Sequence, residues 1–247
     1  MLTDALPQRA QVCVRDAFRP RPGTLLLASD YKQLEMRLLA ALSKDEELGK
    51  QLASHDGNSD FFARLAARFY GKGVDAVSAA DRDCTKQLCY GIIYGLGHER
   101  LASNLRISWD RARRLRAEFL GCFRELEAYL ARAKRDAKRD GGVTTLGGRR
   151  RPLPGLSATN DAERAKAERQ VVNSIVQGSA ADVAKEAMLA CWAELGRRGL
   201  PCRLVCQIHD ELLFEVMNGP SSYLSTHNHD GGMMMVVVER SSQRAGG

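Results

Sequence analysis

Two short apolar runs, RLVCQI (203–208) and ELLFEV (211–216), stand only two residues apart, which is the spacing of a β-hairpin. The turn between them is His209-Asp210, followed at once by Glu211. Two-residue turns favour Asn-Gly or Asp-Gly because they need positive φ, so this turn is expected to be strained. A third apolar run, TLLLAS (24–29), follows Pro22-Gly23 and reads as a buried strand that delivers Asp30 at its C-terminal end. Strands drawn from both ends of the chain can bring the distant carboxylates of Asp30 and Asp210 to a common point.

Between those strands the apolar spacing is helical. It predicts helices over 33–52, 60–70, 78–94, 97–105, 109–120 and 122–139, and a long one over 158–197. Ser78 and Asp81 suit the start of the third helix, and Thr159 or Asn160 that of the last. Gly199-Leu200-Pro201 suits the end of the last. VTTLGGRRRPLP (143–154) reads as a bent β-ribbon with glycines at its turn. The fold class expected is α+β, an antiparallel sheet combined with helices. Residues 217–247 carry runs of Met, Val, Ser and Gly without periodicity and are expected to be a disordered tail.

With 44% hydrophobic and 27% charged residues, the 247-residue chain can bury a sizeable core, which excludes wholesale disorder. No apolar run approaches the roughly 20 residues that a membrane helix needs, so no membrane partner is expected. Seven cysteines without a CxxC pair read as reduced thiols. Cys202 and Cys206 are expected on one strand face with His209 on the other, which disfavours a zinc site. The net charge of +7 is concentrated: residues 111–151 hold thirteen basic against five acidic side chains. Such a block fits a polyanion such as nucleic acid, and equally a solvated helix face.

Three constellations carry chemistry. Asp30 and Asp210 at strand ends are hard oxygen donors that could hold a pair of divalent ions, magnesium fitting best, although Asp30 could equally cap the following helix. Arg82, Lys86, Tyr90 and Tyr94 recur at intervals of four and form one helical stripe, two cations followed by two rings. It could hold a triphosphate and stack its base, or be an exposed basic turn running into buried tyrosines. Arg169, Asn173 and Gln177 form a second such row, suited to base edges and sugars in a minor groove or to plain solvation.

Taken together, DYKQLEMR (30–37), RDCTKQLCYGIIYG (82–95), ERQVVNSIVQGSAAD (168–182) and QIHDE (207–211) resemble motif A, motif B, the palm helix and motif C of the family A DNA polymerases. CYGIIYG, GRRRPLPG and QIHDELLFEV look most like the eukaryotic polymerase nu and theta branch. The resemblance, over about residues 12–216, implies a palm in two parts (1–58 and 141–216) with helical fingers (59–140) between them. It implies that Asp30 and Asp210 bind two Mg2+ ions, with the Tyr31 carbonyl as a further ligand and Glu211 as a supporting carboxylate. Glu35 would crowd a 2′-hydroxyl, Arg82 and Lys86 would hold the triphosphate, and Tyr90 would pack on the incoming nucleotide. Tyr94 would stack on the templating side; Arg169, Asn173, Gln177 and His209 would contact primer or template; Gln33 and Arg37 would support the site.

The resemblance thus implies a DNA-directed DNA polymerase acting on primed template DNA and deoxynucleoside triphosphates, in repair or translesion synthesis in a nucleus. A catalytically inactive DNA-binding fragment is the alternative. Phe62 departs from the histidine of bacterial members, and Tyr90 from their phenylalanine. The family's thumb should precede residue 12, and after Val216 the chain leaves the family pattern, so a chain truncated at the front and altered at the back is the expectation.

Overall fold

The computed structural model describes residues 17–54, 60–217 and 233–238, which form two compact units. One comprises the described residues up to Lys32 and those from Glu186 onward; the other is Gln33–Lys185.

The first unit is a four-stranded antiparallel sheet in the order β4-β5-β1-β6, from β1 (Thr24–Tyr31), β4 (Cys202–Ile208), β5 (Glu211–Met217) and β6 (Met233–Val238). The expected hairpin is β4–β5, and β1 pairs along β5 from Thr24↔Met217 to Asp30↔Glu211. Alternation then sorts the side chains. Leu27, Leu212 and Phe214 cluster with Ala187, Met188, Cys191 and Leu195 of the last helix, while Leu26, Ala28 and Leu213 cluster on the opposite face. Two expectations need correction here. Within the segment expected to be disordered, Met233–Val238 is strand β6 along β1, with Leu26↔Val238 through Tyr31↔Met233. Its unbroken apolar run lacks the alternation of a half-buried strand, although β-branched valines suit a pleated surface. The rest of that segment lies outside the described residues. The register also shifts between Leu204 and Cys206, leaving Val205 as an extra residue, so Cys202 and Cys206 fall on opposite faces of the sheet and not on one.

The second unit is helical: α1 (Leu34–Ser43), α2 (Glu46–Ala53), α3 (Phe61–Tyr70), α4 (Ala79–Ile93), α5 (His98–Leu105), α6 (Trp109–Cys122), α7 (Arg124–Asp140) and the first part of α8 (Asp161–Arg198). One core runs through it, with Phe61, Phe62, Leu88, Ile92, Phe119, Phe123 and Val171 nearly inaccessible to solvent. The single helix expected over 33–52 is two. Lys44 adopts φ 59° and Asp45 starts α2, its carboxylate accepting the Leu48 amide at 2.9 Å and the Leu126 amide at 3.1 Å. One buried aspartate so caps α2 and meets the first turn of α7, an arrangement that apolar periodicity does not register.

Elsewhere the local rules hold. Ser78 and Asp81 form a reciprocal capping box on α4, Asn160 accepts the amides of Ala162 and Glu163 at the start of α8, and Gly199 with φ 61° ends it. The ribbon is β2 (Gly142–Thr144) with β3 (Arg150–Pro152). All six described cysteines are free thiols, and no helix among the described residues is long and apolar enough to cross a membrane.

Glu215 ties the end of the sheet remote from Asp30. Its buried carboxylate accepts the backbone and guanidinium N–H groups of Arg21, the Thr24 hydroxyl and Arg203. These bonds, those of Arg21 foremost, lower its pKa from 4.5 to about 2. A depressed carboxylate stabilises the fold above the unfolded pKa and loses that contribution as pH falls through the folded one. Urea unfolding of the wild type and Glu215→Gln is therefore expected to show a stability gap at neutral pH that closes between pH 4.5 and about 2. A gap that persists at pH 2 contradicts this account.

Candidate active site

In the sheet unit the register sets the acids. Asp30 is the penultimate residue of β1 and lies directly across from Glu211, the first residue of β5, while Asp210 precedes Glu211 in the turn. Asp30, Asp210 and Glu211 are all half-buried. Like charges directly opposite on a sheet repel, so this end of β1 and β5 suits a bound cation better than an empty site. The donors are carboxylate oxygens, the hard ligands that magnesium takes one or two at a time and completes with substrate phosphates. Among the described residues no three His, Cys, Asp or Glu are grouped so as to hold a metal ion, Asp30, Asp210 and Glu211 included. Tyr31 ends β1, its phenol pKa raised by burial and then by Cys191.

The turn is strained as expected. His209 has φ 58°, unusual for a residue with a Cβ, and its carbonyl accepts Gln207 Nε2 at 2.6 Å. In the helical unit Gln33 has φ 57° as the residue that opens α1. Two predicted site positions thus adopt the left-handed conformation, a form of strain that concentrates at functional sites.

The predicted α4 stripe is built as one ladder. The Arg82 guanidinium lies 5.9 Å from the centroid of the Phe62 ring, Phe62 and Tyr90 are 5.9 Å apart, and Tyr90 stacks on Tyr94 at 6.0 Å and 22°. Phe62 is thus the buried support between the cation and the two tyrosines. Lys86 is exposed and makes no ion pair among the described residues. Glu35, on α1, is brought beside Tyr94; burial first and this carboxylate second push the phenol's pKa far up, so Tyr94 stays protonated. Arg37 donates to the Leu52 carbonyl at 3.2 Å, which makes it a brace on α2.

On α8, Arg169 and Asn173 are half-buried and Gln177 is exposed. The Asn173 Oδ1 atom is enclosed without a hydrogen bond among the described residues. Gly95 has φ 72°, the left-handed region that favours glycine, and the Arg169 stem lies within ordinary contact distance of it. Arg169 also lines a cleft of about 410 Å3 with Gly97, His98, Glu99, Arg100 and Trp109.

Sequence reasoning missed several of these residues. His98 and Trp109 meet at 5.6 Å, and their separation in the chain hides it. Asp182 is buried and holds the ribbon tip, accepting the Gly147 amide at 3.0 Å and Arg149 Nε at 2.5 Å, while Ser179 accepts the Leu146 amide. Side-chain bonding from Thr145, then Gly147 and Arg149, keeps its pKa low. The run Gly178-Ser179 is the other half of that socket, because a Cβ on Gly178 would collide with Thr145. The basic block of 111–151 is mostly solvent-exposed, on α6, α7 and the ribbon.

A sequence model described as DNA polymerase family A matches residues 5–231. DNA polymerase I of Mycobacterium leprae (strain TN) is 39% identical over 210 residues, 83% of this chain and 23% of that protein. The Bacillus subtilis (strain 168) DNA polymerase I is 38% identical over 203 residues, 82% of this chain and 23% of its own length. DNA polymerase theta of Drosophila melanogaster is 36% identical over 222 residues, 87% of this chain and 11% of its own. The chain so spans less than a quarter of the length of these relatives. Among solved structures, the POL domain of Pol1 from M. smegmatis, in complex with DNA primer-template and dNTP, superposes with a TM-score of 0.79 at 34% identity. That match covers 91% of this chain and 41% of the other.

Replacing Glu211 by Gln removes one of two facing charges and is expected to raise stability by about 0.2–1 kcal/mol without divalent ions. Thermal unfolding with and without magnesium checks this; the gain should shrink when magnesium is added. A variant less stable than the wild type in the metal-free protein contradicts it.

Proposed function

The chain belongs to DNA polymerase family A, and on that premise we propose that it carries the palm and fingers of a DNA-directed DNA polymerase, with palm segments 1–58 and 141–216 and fingers 59–140. The observation that carries the reading is the β1–β5 register, in which Asp30 lies across from Glu211, the residue that follows Asp210 in the chain. The reaction is in-line attack of a primer 3′-hydroxyl on the α-phosphate of a deoxynucleoside triphosphate. A bond forms from the 3′-oxygen to the α-phosphorus as the hydroxyl proton passes to water, the bond from that phosphorus to the bridging oxygen breaks, and pyrophosphate leaves with the electron pair.

Two Mg2+ ions held by Asp30 and Asp210, with the Tyr31 carbonyl, would when bound ease loss of the hydroxyl proton and neutralise charge on the phosphates. Glu211 supports those carboxylates. Arg82 and Lys86 hold the triphosphate by charge-assisted hydrogen bonds, and Tyr90 packs on its sugar and base. Glu35 crowds a 2′-hydroxyl and so favours deoxynucleotides. Tyr94 stacks on the templating side, Arg169, Asn173, Gln177 and His209 contact primer or template, and Gln33 supports the site. Resemblance to the nu and theta branch extends the proposal to repair or translesion synthesis in a nucleus. An inactive DNA-binding fragment is the second reading, favoured by an exposed basic block that can bind DNA without the acids.

Primer extension on a short primed template with magnesium and four deoxynucleotides separates the two. Extension is expected, and it should vanish in Asp30→Asn and Asp210→Asn; binding without extension by the wild type establishes the second reading. The Tyr90 phenol is expected to let dideoxynucleotides terminate extension, while ribonucleotides are excluded by Glu35. Rejection of dideoxynucleotides, or equal use of ribonucleotides, counts against these two roles.

A further inference from the structure

Arg82 is already engaged in this structure. Asp60 Oδ2 accepts its Nε at 3.0 Å and its Nη2 at 2.5 Å, and the Phe62 ring lies against the guanidinium. The other oxygen of the same carboxylate, Oδ1, accepts the Ala63 amide at 2.9 Å as the N-cap of α3. One side chain therefore joins the first turn of α3 to the first turn of α4. A guanidinium is a rigid planar fork, so fixing its Nε edge also fixes the direction of the Nη1 end. The one hydrogen bond or ion pair made by that end among the described residues is a long one of 3.4 Å to the exposed Asp83.

We propose that Asp60 is a positioning residue for nucleotide binding: it holds Arg82 by the Nε edge against Phe62, so that the Nη1 end is presented to the triphosphate before the nucleotide arrives. The proposal rests on the reading of Arg82 as a triphosphate ligand. Preorganisation of this kind raises affinity by removing the ordering that binding would otherwise require. Its electrostatic side effect has the opposite sign, since a carboxylate beside a cation weakens the field that a polyanion meets. The two effects predict opposite outcomes for one substitution. The same guanidinium is held in its charged form, first by the hydrogen bond it donates to Asp60.

Asp60→Asn suits the test because Asn caps a helix as well as Asp does, so α3 keeps its start while the charged oxygen that receives both Arg82 N–H groups is lost. Equilibrium binding of dATP to the full chain, by isothermal titration with magnesium, reads the outcome without requiring turnover. Asp60→Asn is expected to weaken binding about 5–10-fold, with a thermal midpoint close to wild type. Arg82→Ala should weaken it at least as much, and Asp60→Asn added to Arg82→Ala should change nothing further. If Arg82→Ala weakens binding but Asp60→Asn leaves it unchanged or tightens it, the positioning role is overturned while the Arg82 reading stands. A further loss from Asp60→Asn in the Arg82→Ala background overturns it too. If Arg82→Ala binds like the wild type, or the wild type does not bind dATP, the Arg82 reading falls and the inference with it.

Discussion

The antiparallel register of β1 against β5 is the constraint on which the acidic site depends. Side chains alternate along a strand, so a slip of one residue would carry Asp30 to the face where Leu27, Leu212 and Phe214 meet α8. Two features oppose such a slip. The apolar face has a defined partner in Ala187, Met188, Cys191 and Leu195, and the far end is locked where Glu215 gathers Arg21, Thr24 and Arg203. Both are remote from the acids, so the register that sets Asp30 across from Glu211 is held from a distance. Natural sequences tolerate a repulsive pair such as Asp30 and Glu211 only where the surrounding packing over-determines it.

The helical unit solves a related problem with three other aspartates. Asp45 caps α2 and meets α7, Asp60 caps α3 and holds Arg82, and Asp182 receives the ribbon tip. Each divides its carboxylate between backbone N–H groups and a partner distant in sequence. A buried carboxylate is costly unless its lone pairs are filled, and filling them from two segments fixes the geometry of both. The ladder of Arg82, Phe62, Tyr90 and Tyr94 is held in this way at its cationic end and by aromatic packing at the other.

What was legible in the sequence is what local physics determines. The hairpin, the capping box at Ser78 and Asp81, the cap at Asn160, the stop at Gly199 and the strained turn at His209 each follow from a few adjacent letters. The break at Lys44 was not legible, because apolar spacing continues across it and the cause is Asp45 reaching Leu126. Strand β6 was hidden by a run without alternation, and the separate faces of Cys202 and Cys206 by one extra residue, Val205. Of the site, spacing alone suggested the stripes and the two acids. The role of each residue came from resemblance, and the partnerships of Asp60, Asp182, His98 and Trp109 needed the tertiary structure.

The strained residues bear on why the acids are placed as they are. Gln33 lies three residues after Asp30, and His209 immediately before Asp210. Glycine would adopt either conformation without steric cost, yet it would also leave the adjoining chain freer in the unfolded state and less directed in the folded one. A side chain at each position carries the backbone cost of the left-handed region but gains a group that can contact a ligand. At His209 the cost recurs beside a facing pair of like charges, so strain and repulsion are concentrated at one end of β1 and β5. The buried Glu215 network and the α8 contacts offset both from the other end and the opposite face of the same sheet. The contacts that hold the sheet are thereby kept on parts of β1, β4 and β5 away from the acids.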